Sequence, residues 1–443
     1  MRLLRFFYNL AYPVALVVML PWLIRRMIRR GKYRHKFGQR FAIYSPRVRR
    51  RFREGGRTWV HAVSVGEVLI AMKLIRRLRE REPERRFVLS TTTSTGFALA
   101  NEQRCDWLEP IYNPLDFFLF TRHALDLIRP DQIILVEAEV WPNLVCQARH
   151  RRIPVALVNA RLSPRSEARF RLARAFTAPI FNQLDLICVQ EPEDVARWES
   201  LGVHHRRIVH TGSIKFDDDA TPARPPRDFR PILDDLGVPP GAPILLGAST
   251  HKGEEAALGR TLLALRAQFP DLFLISVPRH AERAGEVRTD LEVLGLSVIN
   301  RTQLPSPGAQ CPNVLLVDAT GELRDWYACA TVVFVGKSLL ATAKGGQNRA
   351  EPLVAGRPVV VGPHMRNFEI LVHGLVLAGG IAQVPDEAAL VPALARLLKD
   401  ATASAEIVQN GQRVIASHRG ATNRTCDALT EGLLTLSPTP SPT

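Results

Sequence analysis

The chain has 443 residues, 46% of them hydrophobic, and a formal net charge of +16. That length suits two or three domains and the apolar fraction is that of an ordinary globular protein. The charge suggests a nucleic-acid binder, but its placement excludes one: residues 1–60 carry sixteen Lys/Arg against one acid, Glu54, and the rest of the chain 43 against 42.

Six cysteines, at 105, 146, 188, 311, 329 and 426, form no Cys-x-x-Cys pair. They suggest neither a zinc site nor a disulfide framework, and a reducing cytosol is the natural reading.

In chain order, the first element is apolar. Residues 6–24, FFYNLAYPVALVVMLPWLI, hold no charge and are just long enough to span a bilayer core. Asn9, Pro13 and Pro21 interrupt them, and the basic run RRMIRRGKYRHKFGQR follows. The positive-inside rule puts that flank and everything after it in the cytoplasm. No A-x-A-like cleavage site follows, which argues against a signal peptide. Residues 1–40 are therefore expected to be a membrane anchor, spanning the bilayer or lying in its interface, with the basic run drawn to an anionic membrane surface.

From residue 58 onward short apolar runs alternate with helical stretches. Strands are predicted at 58–63, 87–90, 132–136, 155–158, 186–189 and 207–210, with helices at 67–79, 117–128, 166–181 and 192–200. The Pro- and charge-rich stretch DDDATPARPPRDFRP (217–231) reads as a linker. The rhythm resumes with strands at 244–247, 272–277, 314–317, 332–335 and 358–361 and closes in a helical stretch near 403–436. This predicts an α/β chain of two doubly wound, Rossmann-like domains facing a cleft. The expected parts are an N-terminal domain at 41–217, a linker at 218–231, a C-terminal domain at 232–405, C-terminal helices at 406–436 and a disordered tail at 437–443.

The first candidate site follows the first strand. Ser64-Val65-Gly66-Glu67 fits the capping box Ser/Thr-x-x-Asp/Glu, and Val68, Ile70, Ala71, Leu74, Ile75 and Leu78 follow at helical spacing. Most such matches are only helix starts. Two features favour chemistry: Gly66 in the first turn, where glycine costs about 1 kcal/mol against alanine, and a position beyond the carboxyl end of a strand, where open α/β sheets bind ligands. Glu137 and Glu139 follow another strand in VEAEVWPN, where an acid pair is more often solvated than catalytic. Lys215, in GSIKFD, stands beside the linker. Asp217–Asp219 contains an Asp-x-Asp, but no apolar strand surrounds it, so no metal site is expected there.

In the second half, several polar groups sit at strand ends. These are GASTHKGEE (247–255), Arg279 and His280 in VPRHAER, Gly321-Glu322-Leu323, and Gly345-Gly346 ahead of Asn348 and Glu351. Glycines before a helix let amides approach a phosphate, and a carboxylate in the first turn can accept from ribose hydroxyls. Their co-occurrence suggests nucleotide binding, although no Gly-x-x-x-x-Gly-Lys-Ser/Thr or Gly-x-Gly-x-x-Gly is present.

The set SVGEV, EAEVWPN, NARLS, GSIKFD, GASTHKGEE, VPRHAER, GEL and GGQNRAEP, in this order, resembles the 3-deoxy-D-manno-octulosonic acid (Kdo) transferase family over about residues 30–420. The resemblance implies a GT-B fold and transfer of Kdo from CMP-Kdo to a lipid A precursor (lipid IVA), inverting and metal-independent. It implies no cofactor, CMP-Kdo being a substrate, and a place on the cytoplasmic face of the bacterial inner membrane. It implies Glu67 as proton acceptor, Glu137 and Lys215 as transition-state stabilisers, and CMP contacts at Pro278, Arg279, Gly321, Glu322, Leu323, Asn348, Arg349, Ala350 and Glu351. Two departures fall on the donor side: Gly336-Lys337-Ser338 and Gly345-Gly346-Gln347-Asn348 stand where the family more often has Gly-Gly-Ser and Gly-Gly-His-Asn. The basic helix RLSPRSEARFRLAR (161–174) is either a grip for acceptor phosphates or a solvated face. Two other functions fit the residues: a GT-B enzyme using another nucleotide sugar on a lipid, or a membrane-tethered, non-catalytic binder of anionic lipid.

Overall fold

The structure is a computed structural model. It describes residues 6–14, 17–18, 36–53, 56–162, 164–217, 227–304, 311–340, 350–365 and 369–434. The chain forms two compact units, residues 1–219 with 418–443, and residues 220–417. The stretch 406–436, expected as a separate set of helices, is divided between them: the helix Ala401–His418 ends at the unit boundary and the helix Ala421–Leu434 belongs to the first unit. Gly420, at φ +77°, separates the two helices.

The first unit is built on a seven-stranded parallel sheet. Its strands are β1 (Arg57–His61), β2 (Arg86–Thr91), β3 (Leu108–Tyr112), β4 (Pro130–Val136), β5 (Val155–Ala160), β6 (Leu186–Val189) and β7 (Ile208–His210), in the order β3-β2-β1-β4-β5-β6-β7. Every residue of β1 is buried, because helices cover both faces of a parallel sheet and its central strands are apolar on both. Neighbouring residues feed opposite cores: Trp59, Ile133, Leu135 and Leu157 join one cluster, and Val60, Ile134, Val136 and Val158 the other. The helix Val65–Arg81 adds Val68, Ile70, Leu74, Ile75 and Leu78 to the second cluster, together with Cys426 and Leu429 from the helix Ala421–Leu434. Each large aliphatic side chain so buried contributes about 1.5–3 kcal/mol.

The second unit repeats the plan with β8 (Ile244–Thr250), β9 (Phe273–Pro278), β10 (Val298–Asn300), β11 (Val314–Leu316), β12 (Val332–Val335), β13 (Val359–Val361) and β14 (Ala382–Gln383), ordered β10-β11-β9-β8-β12-β13-β14. In each sheet the chain reverses its direction of winding beside the first strand, between β1 and β4 and between β8 and β12. Such a crossover opens a crevice at the strands' carboxyl ends.

Several expectations shift. The predicted helix 166–181 is two helices, Pro164–Leu172 and Arg174–Phe181, parted at Ala173. β3, β10 and β14 escape sequence reading. β3 contains Glu109 and Pro110, poor strand formers; it works because β3 is an edge strand and because Arg51 and Arg104 meet the buried Glu109 carboxylate at 3.1 and 2.7 Å.

Residues 6–14 are helical. The Tyr8 hydroxyl donates to Asp116 Oδ2 (3.0 Å), and the Asn9 and Asn143 amides exchange hydrogen bonds (3.1 and 3.0 Å). Phe6, Phe7, Leu10 and Val14 point away from that contact and are more than half exposed, as are Val17 and Val18. Among the described residues no helix is long and apolar enough to cross a membrane; residues 19–35 of the expected anchor lie outside them.

Candidate active site

The first unit gathers its candidate residues at the β1/β4 crossover. Ser64 is the N-cap of the helix Val65–Arg81, and its Oγ accepts the Glu67 amide at 3.4 Å. Glu67 reaches back one residue further than a simple capping box: its Oε2 accepts the Val63 amide at 2.8 Å, and its Oε1 accepts the Ser64 hydroxyl at 2.7 Å. The carboxylate is nearly buried. At Gly66, neither φ nor packing calls for glycine, since an added Cβ would meet only Ser64 Oγ, at 3.9 Å.

Glu137 follows β4 and sits at φ +64°, a left-handed conformation that a side chain pays for. Burial raises its pKa, the Glu67 charge raises it further, and Arg161 and Lys215 pull it down. Burial also pushes the Glu139 carboxyl up to about 7, and the charges of Glu67 and Glu137 add to that shift. Three carboxyl groups, from residues 67, 137 and 139, thus share one neighbourhood with two cations. Burial and the neighbouring carboxylates thus raise the proton affinity of both Glu137 and Glu139.

Lys215 is exposed on a loop that is fixed on both sides. Asn159, at φ +51° at the end of β5, accepts the Ile214 amide on its Oδ1 (2.9 Å). His418 Nδ1 accepts the Ser213 amide (3.2 Å), so the ring is neutral, and burial holds its pKa down at about 4. The Asp217 carboxylate accepts the amides of Gly420 (2.7 Å) and Thr422 (2.6 Å), capping the helix Ala421–Leu434. Asp217 is thereby a structural cap, while Asp218 and Asp219 lie outside the described residues. Asn159 stood in the NARLS motif with no role attached. His418 carried no signal, being more than 200 positions from Ser213.

In the second unit a cavity of about 180 Å³ opens at the β8/β12 crossover. It is lined by Ala248, Ser249, Arg279, Leu323, Tyr327, Val335 and Glu351. Three residues expected on the donor side, Arg279, Leu323 and Glu351, meet here from separate segments. Arg279 is set by its own amide, which donates to Thr250 O at 2.9 Å. Pro278, Gly321 and Glu322 are not among the lining residues. The Glu322 carboxylate turns instead to Arg301 Nε at 3.2 Å. Asn348 and Arg349 lie outside the described residues, and Ala350 begins the helix Ala350–Val354.

Sequence reading named Tyr327 nowhere and Ser249 only as part of GASTHKGEE. Tyr327 lies one helical turn after Leu323 and so shares its face; burial and the Glu351 charge raise its pKa. Ser249 lies at the end of β8, at φ +53°. Its signal was position alone, the carboxyl end of a central strand.

The family model described as 3-deoxy-D-manno-octulosonic-acid transferase (kdotransferase) matches residues 35–218. The 3-deoxy-D-manno-octulosonic acid transferase of Haemophilus influenzae is 31% identical over 434 residues, covering 96% of this chain and 98% of that protein. That of Bordetella pertussis is 34% identical over 388 residues, covering 85% and 87%. Among solved structures, a UDP-GlcNAc 2-epimerase from Neisseria meningitidis superposes with a TM-score of 0.51 at 12% identity, over 86% of this chain and all of that one, a likeness of fold alone. The chain belongs to the 3-deoxy-D-manno-octulosonic acid transferase family.

Proposed function

We propose that this protein moves Kdo from CMP-Kdo to a hydroxyl of a lipid A precursor, lipid IVA, with inversion and without a metal ion. The observation that carries the reading is the cavity at the β8/β12 crossover. Arg279, Leu323 and Glu351, each expected on the donor from a different motif, line it together. Glu351 suits a ribose hydroxyl, and Arg279 suits the phosphate.

In the proposed reaction the acceptor oxygen attacks the anomeric carbon of Kdo as the bond from that carbon to the CMP phosphate oxygen breaks. Glu67 takes the hydroxyl proton, and CMP leaves with the bonding pair. The Ser64 hydroxyl and Val63 amide bonded to Glu67 hold its carboxylate in place. Lys215 supplies positive charge where anions gather, and Glu137, held near Lys215 and Arg161, fixes the local field. Arg161 itself is suited to an acceptor phosphate.

We place the reaction at the cytoplasmic face of the inner membrane. The exposed Phe6, Phe7, Leu10, Val14, Val17 and Val18, followed in the sequence by the basic run to Arg40, suit an anionic lipid surface. The test is to incubate the protein with CMP-Kdo and tetraacylated lipid A precursor, with and without excess EDTA, and to weigh the product. A mass increase of one or more Kdo residues in both samples is expected. No increase in either refutes the transfer, and an EDTA-dependent loss restored by Mg²⁺ refutes the metal-free reaction.

A further inference from the structure

Glu254 is the first residue of the helix Glu254–Arg266 and is fully buried. Its carboxylate accepts four backbone amides. Oε2 takes those of His251 (2.9 Å) and Lys337 (2.7 Å); Oε1 takes those of Ser338 and Leu339 (both 2.9 Å). One side chain after β8 therefore holds the segment that leaves β12.

The surrounding packing has no slack. A Cβ on Gly336 would stand 2.5 Å from Thr250 Cα and 2.6 Å from Ser249 O; one on Gly362 would stand 2.3 Å from Ser338 O. Ser338 Oγ donates to Val335 O (2.6 Å) and accepts the Gly362 amide (2.9 Å). Ser249 and Lys337 both sit in the left-handed region, at φ +53° and +59°. Such conformations persist only where the surroundings over-determine them. Ser249 and Val335 both line the cavity described above.

We propose that Glu254 is a positioning residue for the nucleotide-sugar donor. It touches no cavity surface itself. It clamps the β12 exit against the β8 turn and so sets the wall that Ser249 and Val335 form. It also occupies four converging backbone amides, three of them from the β12 exit, that would otherwise suit an anion, which leaves the donor phosphate to Arg279. This inference rests on the reading that the cavity takes CMP.

The test is CMP titration by calorimetry on wild type and Glu254→Gln, with KM measured separately for donor and acceptor. A glutamine presents only one carbonyl oxygen, and its NH₂ would face two of the four amides. The expected result is CMP affinity weakened about tenfold or more, KM for CMP-Kdo raised and KM for the acceptor unchanged. A folded Glu254→Gln that binds CMP as wild type does overturns the proposal, whatever its melting temperature, because a purely structural role lowers stability without moving donor affinity. Should Glu254→Gln not fold, Glu254→Asp tests the same clamp: it keeps the charge on a side chain one methylene shorter, which cannot reach all four amides. It is expected to weaken CMP binding severalfold, and unchanged affinity overturns the proposal. A wild-type protein that does not bind CMP instead refutes the donor reading beneath it.

Discussion

Glu67 has both carboxylate oxygens engaged by its own loop, to the Val63 amide and the Ser64 hydroxyl. In Glu67→Gln the amide oxygen can accept from Val63 and the NH₂ can donate to Ser64 Oγ, so the helix start survives. Turnover is expected to fall about a hundredfold or more, with CMP affinity unchanged, because a general base acts only during proton transfer. Steady-state kinetics beside calorimetry checks this, and near-normal turnover would leave Glu67 as a helix cap alone. Three residues upstream of Ser64, His61 closes β1. It is fully buried, with Nδ1 3.2 Å from Ser90 O and 2.9 Å from Ser90 Oγ. Burial lowers its pKa to about 4, and the Ser90 bond offsets only part of that shift. The neutral ring's contribution is therefore complete above the unfolded pKa of about 6.5 and is lost as the pH falls toward the folded value. Relative to His61→Gln, the wild type is expected to lose about 3 kcal/mol of unfolding free energy between pH 6.5 and 4. Denaturant titrations of both proteins across that range provide the measurement; a difference that stays flat with pH contradicts a neutral buried His61.

At the scale of elements, the helical residues 6–14 are docked through their polar side. Asp116 accepts the Tyr8 hydroxyl and the amides of Asn143 and Leu144, the latter two at 2.9 Å. Burial pushes its carboxyl up to about 7. Tyr8→Phe removes one bond to this node without changing the ring, a loss of about 1 kcal/mol. Chymotryptic cleavage within residues 6–14 is expected to speed up severalfold, since local opening governs proteolysis. Cleavage at the wild-type rate would mean that the Tyr8 bond does not hold the segment. The same residues explain what the sequence concealed. Asn9 reads as a defect in an apolar run, yet it pairs with Asn143, 134 positions away. β3 reads as a loop because its Glu109 declares its charge, while the two arginines that neutralise it lie elsewhere in the chain.

For the whole molecule, the folded core begins within the basic N-terminal block. Gln39, Ala42, Tyr44, Val48 and Phe52 are buried in the first unit, so deleting residues 1–57 would open its core. Deletion of residues 1–36 is the cleaner cut. The truncated protein is expected to lose co-sedimentation with phosphatidylglycerol vesicles while keeping wild-type CMP affinity. Retained vesicle binding would move the membrane contact elsewhere, and lost CMP binding would mean that the N-terminal segment supports the donor site.

Local chemistry was readable without coordinates. The alternation of buried strands and amphipathic helices follows from hydrophobic periodicity, the cap at Ser64 and Glu67 from residues three apart, and the polar motifs of the second half from their positions at strand ends. Those signals are short-range, so a linear reading contains them. Tertiary structure alone decided which strand ends lie together. Sheet order sets Glu67 beside Glu137 at one crossover and Ser249 beside Val335 at the other. It returned the chain from His418 onward to the first unit, where Asp217 and His418 pin the loop bearing Lys215. It also wrapped the residues after β12 around Glu254, 83 positions before Lys337. A carboxylate that accepts backbone amides leaves no mark on the partner's side chains. No pattern of residue types could announce that contact, and only the folded path of the chain creates it.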